Sequence, residues 1–270
     1  MTPIIKASKV TFTYPAKVTA LRDINLELNE DEVTAIIGQN GSGKTTLVKH
    51  FNGLLKPTKG EVLVEGKDTR DLTTAQLSKI VGYVFQDPDD QLFMSKVYEE
   101  VAFGPKNLGF KGKELKSSVK NALKMVGLWE SRKKHPLDMN LNDKKLVTMA
   151  SIIAMKPDVI ILDEPTNGQD HQGIVKVESL INKLRKEHTV IIISHNMELV
   201  SKVADRVVMM YDSRVIFEGS PKKAFTKKKL LNKTYLKPPL ITQLGQGVKG
   251  MPSDVLTINE LVKELQKVSK

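Results

Sequence analysis

Short apolar runs recur along this chain at spacings that suit buried strands. Ile4 to Tyr14, Ile24 to Leu28, Val33 to Ile37, Glu61 to Val64 and Val81 to Phe85 are each predicted as strands, most of them ending in polar or glycine-bearing turns. Val159 to Leu162 and Val190 to Ile193 are continuous rather than alternating, the pattern of parallel strands covered on both faces. Ile174 to Glu187 reads as the helix that joins them, giving a strand, helix, strand crossover. Another helix is predicted over Thr45 to Asn52, directly after a glycine turn. From about residue 98 to 150 the period becomes helical and lysine more frequent. Leu115, Val119, Ala122, Leu123 and Val126 share one face of a helix predicted over Lys113 to Val126. Past Pro221 the pattern weakens, and Pro238-Pro239 and Gly245-Gln246-Gly247 predict loops. A last helix returns with Ile258, Leu261, Val262, Leu265 and Val268 on one face and Thr257 or Ser253 as its cap.

Composition changes this picture little. The 270 residues suffice for one large domain with a small appendage. No run approaches the roughly 18 apolar residues of a membrane span. No basic-then-apolar leader precedes Ile4 and there is no cysteine, so a cytoplasmic location is expected, without disulfides or thiolate metal sites. The formal net charge is +11, but the lysines are scattered rather than interleaved with stacking aromatics, so no nucleic-acid partner is expected.

The chemistry sits at the ends of the predicted strands. Gly38-Gln39-Asn40-Gly41-Ser42-Gly43-Lys44-Thr45-Thr46 follows one strand and opens a helix, as a phosphate-binding loop must. Its glycines let successive N–H groups turn toward phosphate oxygens, and the helix N-terminus adds its positive end. Lys44 would neutralise the outer phosphates of ATP, and Thr45 would offer a hydroxyl to Mg²⁺. Asp163 and Glu164 close an apolar strand, where parallel sheets present ligands. Asp163 is expected on the Mg²⁺ and Glu164 on the water that attacks the γ-phosphate. His195 closes the neighbouring strand and is read as the second catalytic group. Gln86 follows another strand and is read as a link between the metal and a moving subdomain. Tyr14, beside Pro15, is placed to stack on adenine.

Together these residues resemble the nucleotide-binding domain of the ATP-binding cassette (ABC) family, over about Ile4 to Phe225. The narrower resemblance is to energy-coupling factor (ECF) transporter ATPases. It is carried by Thr13-Tyr14-Pro15, the stretch from Val84 to Phe93 (VFQDPDDQLF) and Val101 to Pro105 (VAFGP). The resemblance implies an α/β P-loop fold: a mostly parallel core sheet, an N-terminal antiparallel β part and an inserted helical subdomain at about 98–150. It divides the chain into a nucleotide-binding domain, 1–225, and a C-terminal extension, 226–270, through which paired ATPases touch. It further implies a transmembrane coupling subunit, one or more substrate-binding membrane subunits, and work at the cytoplasmic face of the cell membrane on a vitamin, metal ion or similar micronutrient.

One part departs from the family. The family completes each phosphate loop with an LSGGQ turn from a second cassette, and here those positions read Met139, Asn140, Leu141, Asn142 and Asp143. Both glycines are lost and a carboxylate replaces the glutamine. The expectation is therefore a heterodimer with a second ECF-type ATPase whose signature is intact. A soluble ABC ATPase outside transport, and a regulatory subunit with an impaired second site, are the alternatives.

Overall fold

The computed structural model describes residues 3–268. The chain runs through β1 (Ile5–Thr13), β2 (Thr19–Leu28), β3 (Val33–Gly38), α1 (Lys44–Phe51), β4 (Lys59–Val64), the two-residue β5 (Lys67–Asp68), α2 (Thr74–Leu77) and β6 (Val81–Val84). Three longer helices follow, α3 (Val97–Asn107), α4 (Gly112–Met125) and α5 (Leu141–Ile153), then β7 (Val159–Asp163), α6 (His171–Leu184), β8 (Thr189–Ile193) and α7 (Met197–Val203). The hairpin β9 (Arg206–Tyr211) and β10 (Arg214–Gly219) leads into α8 (Pro221–Thr226), α9 (Lys228–Lys233), α10 (Leu240–Gly247) and α11 (Ile258–Val268).

The strands form two sheets. One has the order β10-β9-β3-β8-β7-β6, parallel from β9 to β6 with β10 antiparallel at its edge. The other, β2-β1-β4-β5, is antiparallel. This is the α/β arrangement anticipated, and its physical reason is visible in the continuous apolar runs. Ile160, Leu162, Val190 and Ile192 face a core shared with the helices, whereas Ile36, Ile161, Ile191 and Ile193 face a second core shared with the antiparallel sheet. Successive side chains of a strand alternate in direction, so a strand buried on both faces must be apolar throughout.

The inserted helices α3 to α5 pack on the first core through Val101, Ala102, Val119, Leu123 and Met149. The stripe read from the sequence in α4 is thus the buried one. Two readings are corrected. The second strand begins earlier, at Thr19, because its edge pairs with β1 as far as Thr13. Gly245-Gln246-Gly247 ends a helix instead of forming a loop. Gly245 is buried against Met251 and Val255, while Gln246 donates to the carbonyls of Phe225 (3.1 Å) and Ser253 (2.9 Å). Tertiary packing here overrides the low helical preference of glycine. Thr257, not Ser253, caps the last helix by accepting from the Glu260 N–H at 3.1 Å. The Val268 side chain lies outside the described residues. The C-terminal segment is not a free tail, since Leu231 and Leu236 are buried in the helix-side core.

Candidate active site

Parallel register brings the loops after four strands to one edge of the sheet. Ile36 pairs with Ile193, Ile193 with Asp163, and Val84 with Leu162, so the segments that follow β3, β8, β7 and β6 emerge side by side. There a cleft of about 910 Å³ is lined by Tyr14, Asn40, Gly41, Gly43, Lys44, Thr45, Thr46, Gln86, Asp163, Glu164 and His195, among others. Most of the residues nominated from the sequence for nucleotide, metal and water meet in it. Gly38, Gln39 and Ser42 complete the loop without lining the cleft. Its volume falls in the range of small-ligand sites.

Two glycines of the loop are required by close approach. A Cβ on Gly38 would lie 2.2 Å from the Met210 carbonyl oxygen, and one on Gly43 2.4 Å from that of Ala20. Both also have positive φ, 151° and 100°, which side-chain-bearing residues adopt only with strain. Gly43 sits at the N-terminus of α1, so the loop delivers its N–H groups at the positive end of a helix.

Lys44 is buried and folded onto its own loop, donating to the carbonyls of Gly38 (2.7 Å) and Gln39 (3.0 Å). Burial pulls its pKa below the ordinary lysine value, opposed by the carboxylates of Glu164 and Asp163. Asp163 Oδ2 accepts from the hydroxyls of Thr45 (3.0 Å) and Tyr83 (2.7 Å). Its Oδ1 is buried without a hydrogen bond. That bare oxygen, with the Thr45 hydroxyl and the Gln86 amide, is a donor set suited to a hard divalent cation such as Mg²⁺. Among the described residues no cluster of three acidic or histidine ligands exists, so a cation here would also need oxygens from the nucleotide.

Glu164 stands at φ 46°, in the left-handed region. Its N–H donates to the Ile193 carbonyl (2.9 Å), and its Oε2 accepts from the His195 backbone N–H (3.2 Å). The His195 Nε2 lies 3.2 Å from Glu164 Oε1 and 3.5 Å from Lys44 Nζ. The first of these is a short approach without hydrogen-bond alignment, because Glu164 Oε1 satisfies no donor. Burial pushes the Glu164 carboxyl up to about 6, against the backbone N–H of His195 and the Lys44 charge. Burial, then Lys44, holds the His195 pKa below its ordinary value. The arrangement offers a carboxylate near neutrality beside a neutral imidazole, suited to orienting and deprotonating a water.

Tyr14 is placed at the cleft by an edge-on contact with Phe12 (ring centroids 4.8 Å apart) and by a 3.1 Å bond between its hydroxyl and that of Thr46. The five signature positions line no part of this cleft. Asn140 caps α5, accepting from the Asp143 N–H (2.9 Å) and donating from Nδ2 to Asp143 Oδ2 (3.1 Å). Leu141 is 43% exposed and lines an adjoining cavity of about 740 Å³ with Phe85, Asp87, Pro88 and Lys145. Sequence reasoning missed Tyr83 and Lys145. Tyr83 was hidden inside an apolar strand and Lys145 inside a run of surface-type residues.

A glycine loop opening a helix, an acidic strand end and a histidine strand end, on a parallel sheet with an inserted helical subdomain, define an ATP-hydrolysing cassette. The ABC transporter family profile matches residues 21–167, and the chain belongs to that family as an ATP-binding subunit of the ECF type. It is 44% identical over 271 residues to the energy-coupling factor transporter ATP-binding protein EcfA1 of Caldanaerobacter subterraneus subsp. tengcongensis, covering 96% of this chain and 98% of that one. Among solved structures it resembles cbiO1 from Clostridium perfringens, part of the ABC transporter complex cbiONQ (37% identity, TM-score 0.78, 91% of this chain and 100% of that one). It also resembles the dimeric cassette MJ0796 in a post-hydrolysis state with ADP and Pi (27% identity, TM-score 0.73, 80% of this chain and 98% of that one).

Proposed function

We propose that this chain is one half of an ATPase heterodimer that powers uptake of a vitamin or metal ion by an ECF-type importer. It works peripherally at the cytoplasmic face of the cell membrane, with a transmembrane coupling subunit and one or more substrate-binding membrane subunits. The similarity to EcfA1 and to cbiO1, itself part of a transporter complex, supports the membrane partners. In this reading Tyr14 stacks on adenine, the loop from Gly38 to Thr46 wraps the phosphates, and Lys44 leaves the Gly38 and Gln39 carbonyls for the β and γ oxygens. Thr45, Asp163 and Gln86 would hold Mg²⁺, whose charge would offset that developing on the transferred phosphoryl group. Glu164 polarises the attacking water and His195 steadies it and the γ-phosphate.

The observation that carries the heterodimer is the turn at the start of α5. Leu141 and Asn142 place side chains where a partner's phosphate would meet backbone, and Leu141 projects outward, 43% exposed. Asp143 adds a carboxylate in the same first helical turn. Losing a charge-assisted hydrogen bond there costs about 1.5–3 kcal/mol, roughly ten- to a hundredfold. A pair of identical chains would carry that defect at both nucleotides, whereas a partner with an intact LSGGQ turn leaves this chain's own cleft competent.

ATP turnover of the purified chain tests this, alone and with a second ECF-type ATPase bearing LSGGQ. The expected result is slow turnover alone, raised about ten- to a hundredfold by the partner or by Leu141→Gly with Asn142→Gly. Full turnover by the chain alone would overturn the heterodimer reading.

A further inference from the structure

Lys145 stands two residues beyond the signature positions, and its ammonium is not at the surface. The residue is 5% exposed, and its Nζ donates to the backbone carbonyl of Glu164 at 3.1 Å. The same carbonyl also accepts from the Asn167 N–H at 3.1 Å. Glu164 is thus gripped on both sides of its left-handed backbone: its N–H by β8, its carbonyl by α5. A non-glycine residue in that region is strained and persists only where neighbours over-determine it.

Anchoring α5 does not by itself call for a lysine. Leu146, Val147, Met149 and Ala150 already bury the helix in the core. A methionine of similar length would bury without the desolvation cost of an ammonium. That cost is visible in the depressed Lys145 pKa, which burial lowers against the charges of Glu164, Asp87 and Asp163. The positive donor is explained by what it holds.

We propose that Lys145 is a positioning residue for ATP hydrolysis, fixing the peptide that aims the Glu164 carboxylate at the attacking water. The inference rests on the assignment of Glu164 to that water. Its wider consequence comes from the other ties of α5. Gln91 bridges the Phe85 N–H (3.1 Å) to the Thr148 carbonyl (3.3 Å) and the Ser151 hydroxyl (3.1 Å), and Lys144 pairs with Asp89 at 2.9 Å. One helix therefore joins the segment around Gln86 to the backbone of Glu164, so a shift of that segment reaches the catalytic turn through Lys145.

The test uses the chain assembled with whichever ATPase gives the fastest turnover, measuring kcat and KM for ATP, with ATP affinity of the chain alone measured alongside. Lys145→Met is expected to lower kcat at least tenfold with KM and ATP affinity within twofold. Lys145→Arg, which keeps a charged donor, is expected to stay within about threefold of wild-type kcat. Unchanged kcat in Lys145→Met, or parallel loss of kcat and ATP affinity, would overturn the proposal. If Lys145→Met does not fold, Lys145→Gln is judged by the same kcat criterion. Glu164→Gln in the same assay separates the two ideas. If it retains turnover, the assignment of Glu164 fails. If it is inactive while Lys145→Met is normal, only the role of Lys145 fails.

Discussion

Glu164 joins a left-handed backbone, a buried carboxyl and a pKa near 6, and this makes it a local liability in the nucleotide-free fold. Its folded pKa lies above the ordinary 4.5, so the ionised form above about pH 6 costs stability relative to the unfolded chain. Below about pH 4.5 both states are protonated and the cost vanishes. Glu164→Gln is therefore expected to stabilise the protein by about 1–2 kcal/mol at pH 8, a rise in Tm of about 2–4 °C, shrinking to a few tenths of a kcal/mol near pH 4.5. Thermal unfolding at the two pH values checks this. At this scale the sequence was legible where chemistry repeats a spacing, as from Gly38 to Thr45. It was silent for Tyr83 and Lys145, whose roles come from approaches across 80 and 19 residues of chain.

Helix α5 carries both the altered signature turn at its start and the buried Lys145. Its N-terminus is sound as a helix, because Asn140 satisfies an orphan N–H that the lost glycines never served. Asn140→Ala is expected to cost about 1 kcal/mol and lower Tm by about 2 °C. A Tm unchanged within error would show that the cap contributes nothing. What the turn lacks is close backbone approach, a property of its outer surface rather than of its stability. Element limits were legible where apolar periodicity ran into a glycine turn, as for β3 and α1. They were misjudged at Gly245, where burial against Met251 and Val255 outweighs local preference.

For the whole molecule, the parallel sheet and the strand-end site were legible because β7 and β8 advertise double-sided burial and end in polar chemistry, whereas β9 and β10 went unpredicted. The order of the strands was not, since nothing local to residues 33–38 says which distant segments will flank them. In the structure β3 lies between β8 and β9. The first residue of the glycine loop, Gly38, pairs with Met210. The strand bearing the phosphate loop is thus made early, and its hydrogen-bonding partners emerge only after about 150 further residues have been synthesised. At about 5–20 residues per second that is a wait of roughly 8–30 s with an apolar strand unpaired at both edges. Until β8 and β9 have been made, β3 has none of the strand neighbours it has in the finished fold. A fragment ending near residue 185 should stay unfolded and bind no ATP, by circular dichroism and nucleotide titration; cooperative folding of that fragment would show that the central strand can do without its late neighbours.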